Sequence, residues 1–245
     1  MNIYLFDVDG TLTPPRQKMT DEFWSYFEKW LIGKDVYLVS GSDLIKIKQQ
    51  LPQKCLDSVN GTFTCMGNVF YKNNKKVYEN KFEYPRGLKA DLNRFLQQSE
   101  YKVRCGNHVE ERTGMINFSV VGRNADYEQR RKYHRWDIGS EERKKIASFL
   151  NEKYDGKIEV SVGGEISMDI CNLGKDKSQV FEHLKNNIIK DAESKIIFFG
   201  DRAHKGGNDY SLVKLLIQNN NKQFKCRVVT VNSCKDTLWY LQNRT

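Results

Sequence analysis

The sequence predicts an α/β fold, a parallel sheet with crossover helices, interrupted by an inserted α+β segment. Two observations predict it. Short apolar runs near both ends of the chain, at 3–6, 36–39 and 196–199, alternate with helix-like stretches, the pattern of buried parallel strands joined by helices. From about 83 to 172 the pattern changes to antiparallel-type strands and charged helices.

The elements follow in order. Residues 1–8 read as a buried strand ending at Asp7. Thr20, followed by Asp21 and Glu22, reads as an N-cap with acids in the first turn of a helix that runs to Leu31 and ends at Gly33. A second buried strand spans 36–39, and a helix over 43–51 stops before Pro52. Short strands and turns fill 59–85, with Asn73 and Asn74 in a hairpin turn. A helix is expected over 86–99, antiparallel strands over 103–109 and 115–121, and charged helices over 126–135 and 140–153. Residues 158–162 and 166–170 form a hairpin around Gly163 and Gly164. A helix over 177–187, a buried strand over 196–199, a helix over 208–218 and a strand over 227–231 complete the chain. The division expected is one discontinuous core, 1–82 plus 173–245, with a cap inserted at 83–172.

The composition, 39% hydrophobic and 29% charged, is that of a soluble globular chain, and its apolar runs are far too short to span a membrane. The start lacks a basic segment followed by a long apolar one, so the expected location is cytoplasmic. Six cysteines without metal-type spacing read as scattered thiols. A net charge of +9 fits either nucleic acid or an anionic small substrate. The charge is spread rather than gathered in a tail, and arginines crowd 104–135, which favours the small substrate.

The chemistry lies at the strand ends. Residues 3–13 (IYLFDVDGTLT) end an apolar run in two carboxylates one residue apart, Asp7 and Asp9. Like charges so close call for a cation, a proton or a division of roles. Strand two ends in Ser40 and Ser42, and the late strand ends in Gly200 and Asp201, followed by Gly206-Gly207-Asn208-Asp209. In an open parallel sheet, ligands bind beyond these carboxyl ends.

This set resembles the haloacid dehalogenase (HAD) superfamily of phosphotransferases: the DVDGT run is its first signature, and Ser40 or Ser42, Lys177 and the Asp201/Asp209 cluster stand where its other three belong. The resemblance implies a HAD-like Rossmannoid core. In it Asp7 is the nucleophile and Asp9 the acid/base. Lys177 and Ser40 or Ser42 are catalytic groups on the phosphoryl oxygens, and Mg2+ is held by Asp7, Asp9 and Asp201 with Asp209 beside them.

The middle of the chain is similar to the eukaryotic-type phosphomannomutases. Residues 6–17 (FDVDGTLTPPRQ), 111–123 (ERTGMINFSVVGR), 162–170 (VGGEISMDI), 174–177 (GKDK) and 199–209 (FGDRAHKGGND) carry the likeness. It implies that Arg16 sits at the core–cap interface, that Arg112, Arg123 and Arg130 clamp a remote phosphate, and that Asn117, Ser167 and Asp169 bind sugar hydroxyls. Arg131 and Arg135 read as a solvated helix face. The family's P-E-N-G stretch is replaced by FTCMGN at 63–68, and its aromatic residue before the Asp-Lys pair by Lys175. The implied activity interconverts mannose 6-phosphate and mannose 1-phosphate, with hexose 1,6-bisphosphate as activator and a homodimer formed through the cap. A sugar-phosphate phosphatase using the same aspartate is the alternative.

Overall fold

The chain builds two sheets of different character. The structure, a computed structural model, describes residues 1–191, 193–222 and 224–244. Its strands are β1 Asn2–Phe6, β2 Asp35–Val39, β3 Gly61–Thr64, β4 Val69–Lys72, β5 Lys75–Glu79, β6 Val109–Arg112, β7 Met115–Phe118, β8 Ile158–Gly163, β9 Ser167–Asn172, β10 Lys195–Gly200 and β11 Lys225–Thr230. The helices are α1 Asp21–Trp30, α2 Leu44–Gln50, α3 Gln53–Ser58, α4 Leu88–Gln98, α5 Tyr127–Ser140, α6 Glu142–Lys153, α7 Gln179–Asn187, α8 Tyr210–Asn219 and α9 Cys234–Arg244.

The larger sheet has the order β11-β10-β1-β2-β3-β4-β5 and is parallel from β11 to β3. Because alternate side chains face opposite ways, Tyr4 and Phe6 pack under α1 and α9 while Ile3 and Leu5 pack under α7 and α8. Covering both faces makes the central strands continuously apolar. Thr20 caps α1 by accepting from the Phe23 amide, as its sequence predicts. Asn73 and Asn74, both with positive φ, close the two-residue hairpin between β4 and β5.

The smaller sheet, β6-β7-β9-β8, is antiparallel. One face, including Ile116, Ile170 and Val160, packs on α4, α5 and α6. The other face carries the cross-strand row Glu110–Asn117–Asp169–Ser161 and looks toward the carboxyl ends of the larger sheet.

Several boundaries differ from expectation. The strand expected over 103–109 forms at Val109–Arg112, because positive φ at Gly106 and Asn107 turns the preceding segment. Helix α5 runs on to Ser140 and breaks where Glu141 adopts a left-handed conformation. The hairpin turn spans Gly164 to Ile166, with Gly163 paired to Ser167 inside the ladder. Helices α3 and α9 were not expected: α3 starts directly after Pro52, which ends one helix and opens the next, and α9 buries Thr237, Leu238 and Leu241. All six cysteines are free thiols. Among the described residues, no helix is long and apolar enough to cross a membrane.

Candidate active site

The carboxyl end of β1 delivers the first acid. The Asp7 amide donates to Phe199 O on β10 (2.9 Å), which fixes its side chain between β1 and β10. Lys177, just before α7 and wholly buried, bridges Asp7 Oδ1 (2.5 Å) and Asp209 Oδ1 (2.6 Å). Asp209 Oδ2 accepts from the Arg202 amide at 3.0 Å. Asp201 directly follows β10 and faces the same point: a Cβ on Gly10 would lie 2.6 Å from Asp201 Oδ2, and Gly10 itself has φ +87°. Glycine there is required twice over.

One ammonium among three carboxylates leaves excess negative charge. Burial pushes the Asp7 carboxyl well up; Lys177 opposes this, and the Asp209 and Asp201 charges add to it. Asp201 is pushed up to about 6 by burial and then by Asp209. Burial works against the Lys177 ammonium, yet the two carboxylates outweigh it and hold it well above its usual range. Carboxylate oxygens of Asp7, Asp201 and Asp209 lie within 4.8 Å of one another. A hard divalent cation fits this crowded, all-oxygen donor set. Since both Asp209 oxygens are already engaged, Asp7 and Asp201 are the better placed to ligate it.

Asp9 stands apart from this cluster. Its Oδ1 accepts from the Arg16 amide (2.8 Å) and from Gln50 Nε2 (2.7 Å), and its Oδ2 from Ser42 Oγ (3.3 Å). Ser40 Oγ accepts the Ser42 amide at 3.0 Å, which shapes the turn after β2.

The polar face of the smaller sheet closes the cleft from above. Arg112 Nη1 donates to Gly41 O at 2.7 Å, and Arg123 Nη1 to Ser167 Oγ at 2.6 Å. Both guanidiniums also give their Nε to Glu110, at 2.7 and 2.9 Å, and Lys46 pairs with the same carboxylate. Asn117 Nδ2 donates to Asp169 Oδ1 at 2.7 Å, while the buried Asn117 Oδ1 has no partner among the described residues. Burial, then repulsion from Arg16 and Arg112, pushes Arg123 down to about 10, so it stays charged at neutral pH. Buried arginines crowded in this way favour an anion.

Asp7, Asp9, Arg16, Ser40, Ser42, Arg112, Asn117, Arg123, Ser167, Asp169 and Asp201 line one cleft of about 700 Å³, open to solvent. Lys177 and Asp209 lie beneath its floor. Arg130 does not line the cleft: its guanidinium holds Ala125 O and Arg123 O, both at 2.7 Å, and so braces the loop that carries Arg123. Arg131 and Arg135 are exposed, as expected of a solvated face. Gln50, Glu110 and Arg202 were not singled out in the sequence. Arg202 follows directly on Asp201, lies 3.3 Å from its carboxylate and lines the cleft. Gln50 falls on the helix after the Ser-Gly-Ser-Asp turn, a placement that could have pointed to it.

The two sheets meet around this cleft. The Val162 amide donates to Gly206 O at 2.9 Å, joining β8 to the glycine-rich turn before Asp209.

Comparison with known proteins follows the same lines. A family model described as eukaryotic phosphomannomutase matches residues 26–243. Phosphomannomutase 1 of Dictyostelium discoideum is 33% identical over 217 residues, covering 86% of each chain. The phosphomannomutase of Encephalitozoon cuniculi (strain GB-M1) is 33% identical over 217 residues, covering 86% of this chain and 83% of its own. Among solved structures, the C-terminal domain of C. albicans trehalose-6-phosphate phosphatase superposes with a TM-score of 0.64 at 14% identity, over 98% of this chain and 90% of that one. A haloacid dehalogenase-like hydrolase from Bacteroides thetaiotaomicron gives 0.60 at 13% identity, over 100% and 99%. At such identities the structural likeness speaks for the fold alone.

Proposed function

The chain belongs to the eukaryotic phosphomannomutase family, and we propose that it interconverts mannose 6-phosphate and mannose 1-phosphate through a phospho-Asp7 enzyme and a hexose bisphosphate. The observation that carries this reading is one cleft with two phosphate-compatible ends: Asp7 over Lys177 at the floor, Arg112 and Arg123 at the roof. A bisphosphorylated sugar needs both ends occupied at once.

In this reading an Asp7 carboxylate oxygen attacks phosphorus, the bond from phosphorus to the leaving oxygen breaks, and Asp9 supplies the proton that oxygen takes up. On the return, Asp9 removes the proton from a sugar hydroxyl, whose oxygen attacks phosphorus; the bond from phosphorus to Asp7 breaks and the free carboxylate is restored. Gln50 and Ser42 orient Asp9 for both steps. Asp7 and Asp201 would ligate Mg2+, with the Asp9 backbone as a third donor and Asp209 behind them; when bound, it neutralises charge on the transferring phosphoryl group. Lys177 sets the Asp7 carboxylate and offsets its charge. Arg112 and Arg123, with Arg16 at the mouth and Arg130 as brace, hold the phosphate that is not reacting. Asn117, Ser167 and Asp169 face the sugar hydroxyls. The division into a core of 1–82 plus 173–245 and a cap of 83–172 belongs to this proposal. So do the bisphosphate activator, a cytoplasmic setting and a homodimer through the cap, for which family resemblance is the support.

The test is incubation with Mg2+ and mannose 1-phosphate, with and without catalytic hexose 1,6-bisphosphate. Bisphosphate-dependent formation of mannose 6-phosphate is the expected result. Release of free phosphate without isomerisation would instead assign a sugar-phosphate phosphatase.

A further inference from the structure

We propose that Glu110 is a positioning residue for phosphate recognition, fixing Arg112 and Arg123 by their Nε atoms and tying the pair to the core through Lys46. The proposal rests on the reading that these arginines grip phosphate.

Strand β6 presents Glu110 and Glu111 to opposite sides. Glu111 turns outward to the Tyr84 hydroxyl (2.6 Å) and to Lys89, whereas Glu110 joins the row with Asn117 and Asp169 on the cleft face. Its two oxygens are divided: Oε1 takes Arg112 Nε and Lys46, and Oε2 takes Arg123 Nε. Glu110 is absent from the cleft lining, and the arginines stand in front of it. Holding a guanidinium by Nε turns its terminal nitrogens forward: one Nη1 meets Gly41 O, the other Ser167 Oγ, and the remaining terminal N–H groups are those left to grip an anion. The carboxylate also offsets repulsion between two guanidiniums whose side chains are each only 5% exposed. Lys46 lies on α2, which starts at the turn carrying Ser42, so the same carboxylate connects the roof of the cleft to its floor.

A carboxylate that merely dilutes positive charge predicts the opposite result from one that positions. Inorganic phosphate, titrated calorimetrically into the full-length protein, separates the two. Glu110→Gln is expected to weaken phosphate binding at least tenfold, although it raises the local positive charge. Glu110→Asp keeps the charge but is one methylene too short to reach both Nε atoms, and is expected to lose most of the same affinity. Binding as tight as wild type or tighter in either variant overturns the proposal, and Glu110→Asp decides it if Glu110→Gln does not fold. In turnover of mannose 1-phosphate, KM is expected to rise more than kcat falls; an equal fall in kcat at unchanged KM overturns it. Lys46→Met is expected to raise KM about threefold and to add nothing to Glu110→Gln; additive losses refute the tie through Lys46. A wild type that binds phosphate but turns over no hexose phosphate refutes the mutase reading alone, since the phosphate titration still decides the role of Glu110.

Discussion

At the scale of single residues, the site is governed by charge imbalance. Asp7, Asp201 and Asp209 crowd around one lysine, and of the two acids that Lys177 bridges only Asp7 lines the cleft. Asp7→Asn keeps the size of the side chain and can still accept from Lys177, while it relieves the crowding. Its thermal stability is therefore expected to equal or exceed that of wild type, while turnover falls by at least about a thousandfold, the scale seen when a nucleophile is removed. Residual turnover above a tenth of wild type would refute the assignment of Asp7. Much of this was legible in the sequence, because the acids cluster at apolar strand ends within short motifs. Gln50 was not, because its partner Asp9 lies 41 residues away; Glu110 was not, because, although Arg112 is 2 residues on, Arg123 and Lys46 lie 13 and 64 residues away and the cluster forms only in the fold. A polar side chain that works through a remote partner leaves no local period to read.

At the scale of elements, the central strands β1, β2 and β10 of the larger sheet were readable because both their faces are buried. Strand β6 was not: its sequence, VEER, carries charge on both faces, one side toward the cleft arginines and the other toward Tyr84 and Lys89. Strand β8 offers a test of how such strands meet the core. Glu159 lies in register with Cys171, on the face turned to the 174–178 loop, and its carboxyl is pushed up to about 7, first by burial and then by a hydrogen bond to Asp176 and that group's charge. The folded value lies above the ordinary 4.5, so the folded state holds this proton more tightly than the unfolded chain does. The stability it contributes is complete below about 4.5 and is lost as pH rises through about 7. Lys214 opposes the shift, and the side chain is only partly buried, so solvent screening reduces the effect to about 1–2 kcal/mol. Glu159→Gln is expected to gain this amount over wild type at pH 8 and nothing at pH 4, read from melting temperature against pH. A constant difference across that range would show that Glu159 does not carry the proton.

At the scale of the whole molecule, the apolar clusters predict how the parts separate. One cluster draws only on residues between Leu88 and Ile170, with Phe82 and Tyr84 packed at its edge. The two clusters flanking the larger sheet draw on buried residues up to Phe70 and from Val180 onward, with Tyr78 packed at the edge. Among the described residues, the one shared cluster is small: Cys65, Met66, Val69, Met115 and Cys171. Two chain segments connect the parts, and Asn172 ties them by accepting from the Glu83 amide (2.9 Å) and donating to Glu83 O (2.8 Å). A fragment spanning 81–173 therefore keeps its whole main core and both ends of this tie, and exposes only Met115 and Cys171 from the shared cluster. Its size, about 90 residues, is enough for a core of its own. Expressed alone, it is expected to show mixed α/β circular dichroism and a cooperative thermal transition. Losing the shared cluster and the Val162–Gly206 hydrogen bond should lower its melting temperature below that of the full chain by several degrees, as removal of about 1–2 kcal/mol does in a domain of this size. A fragment that melts without cooperativity would mean that this segment depends on the rest of the chain to fold.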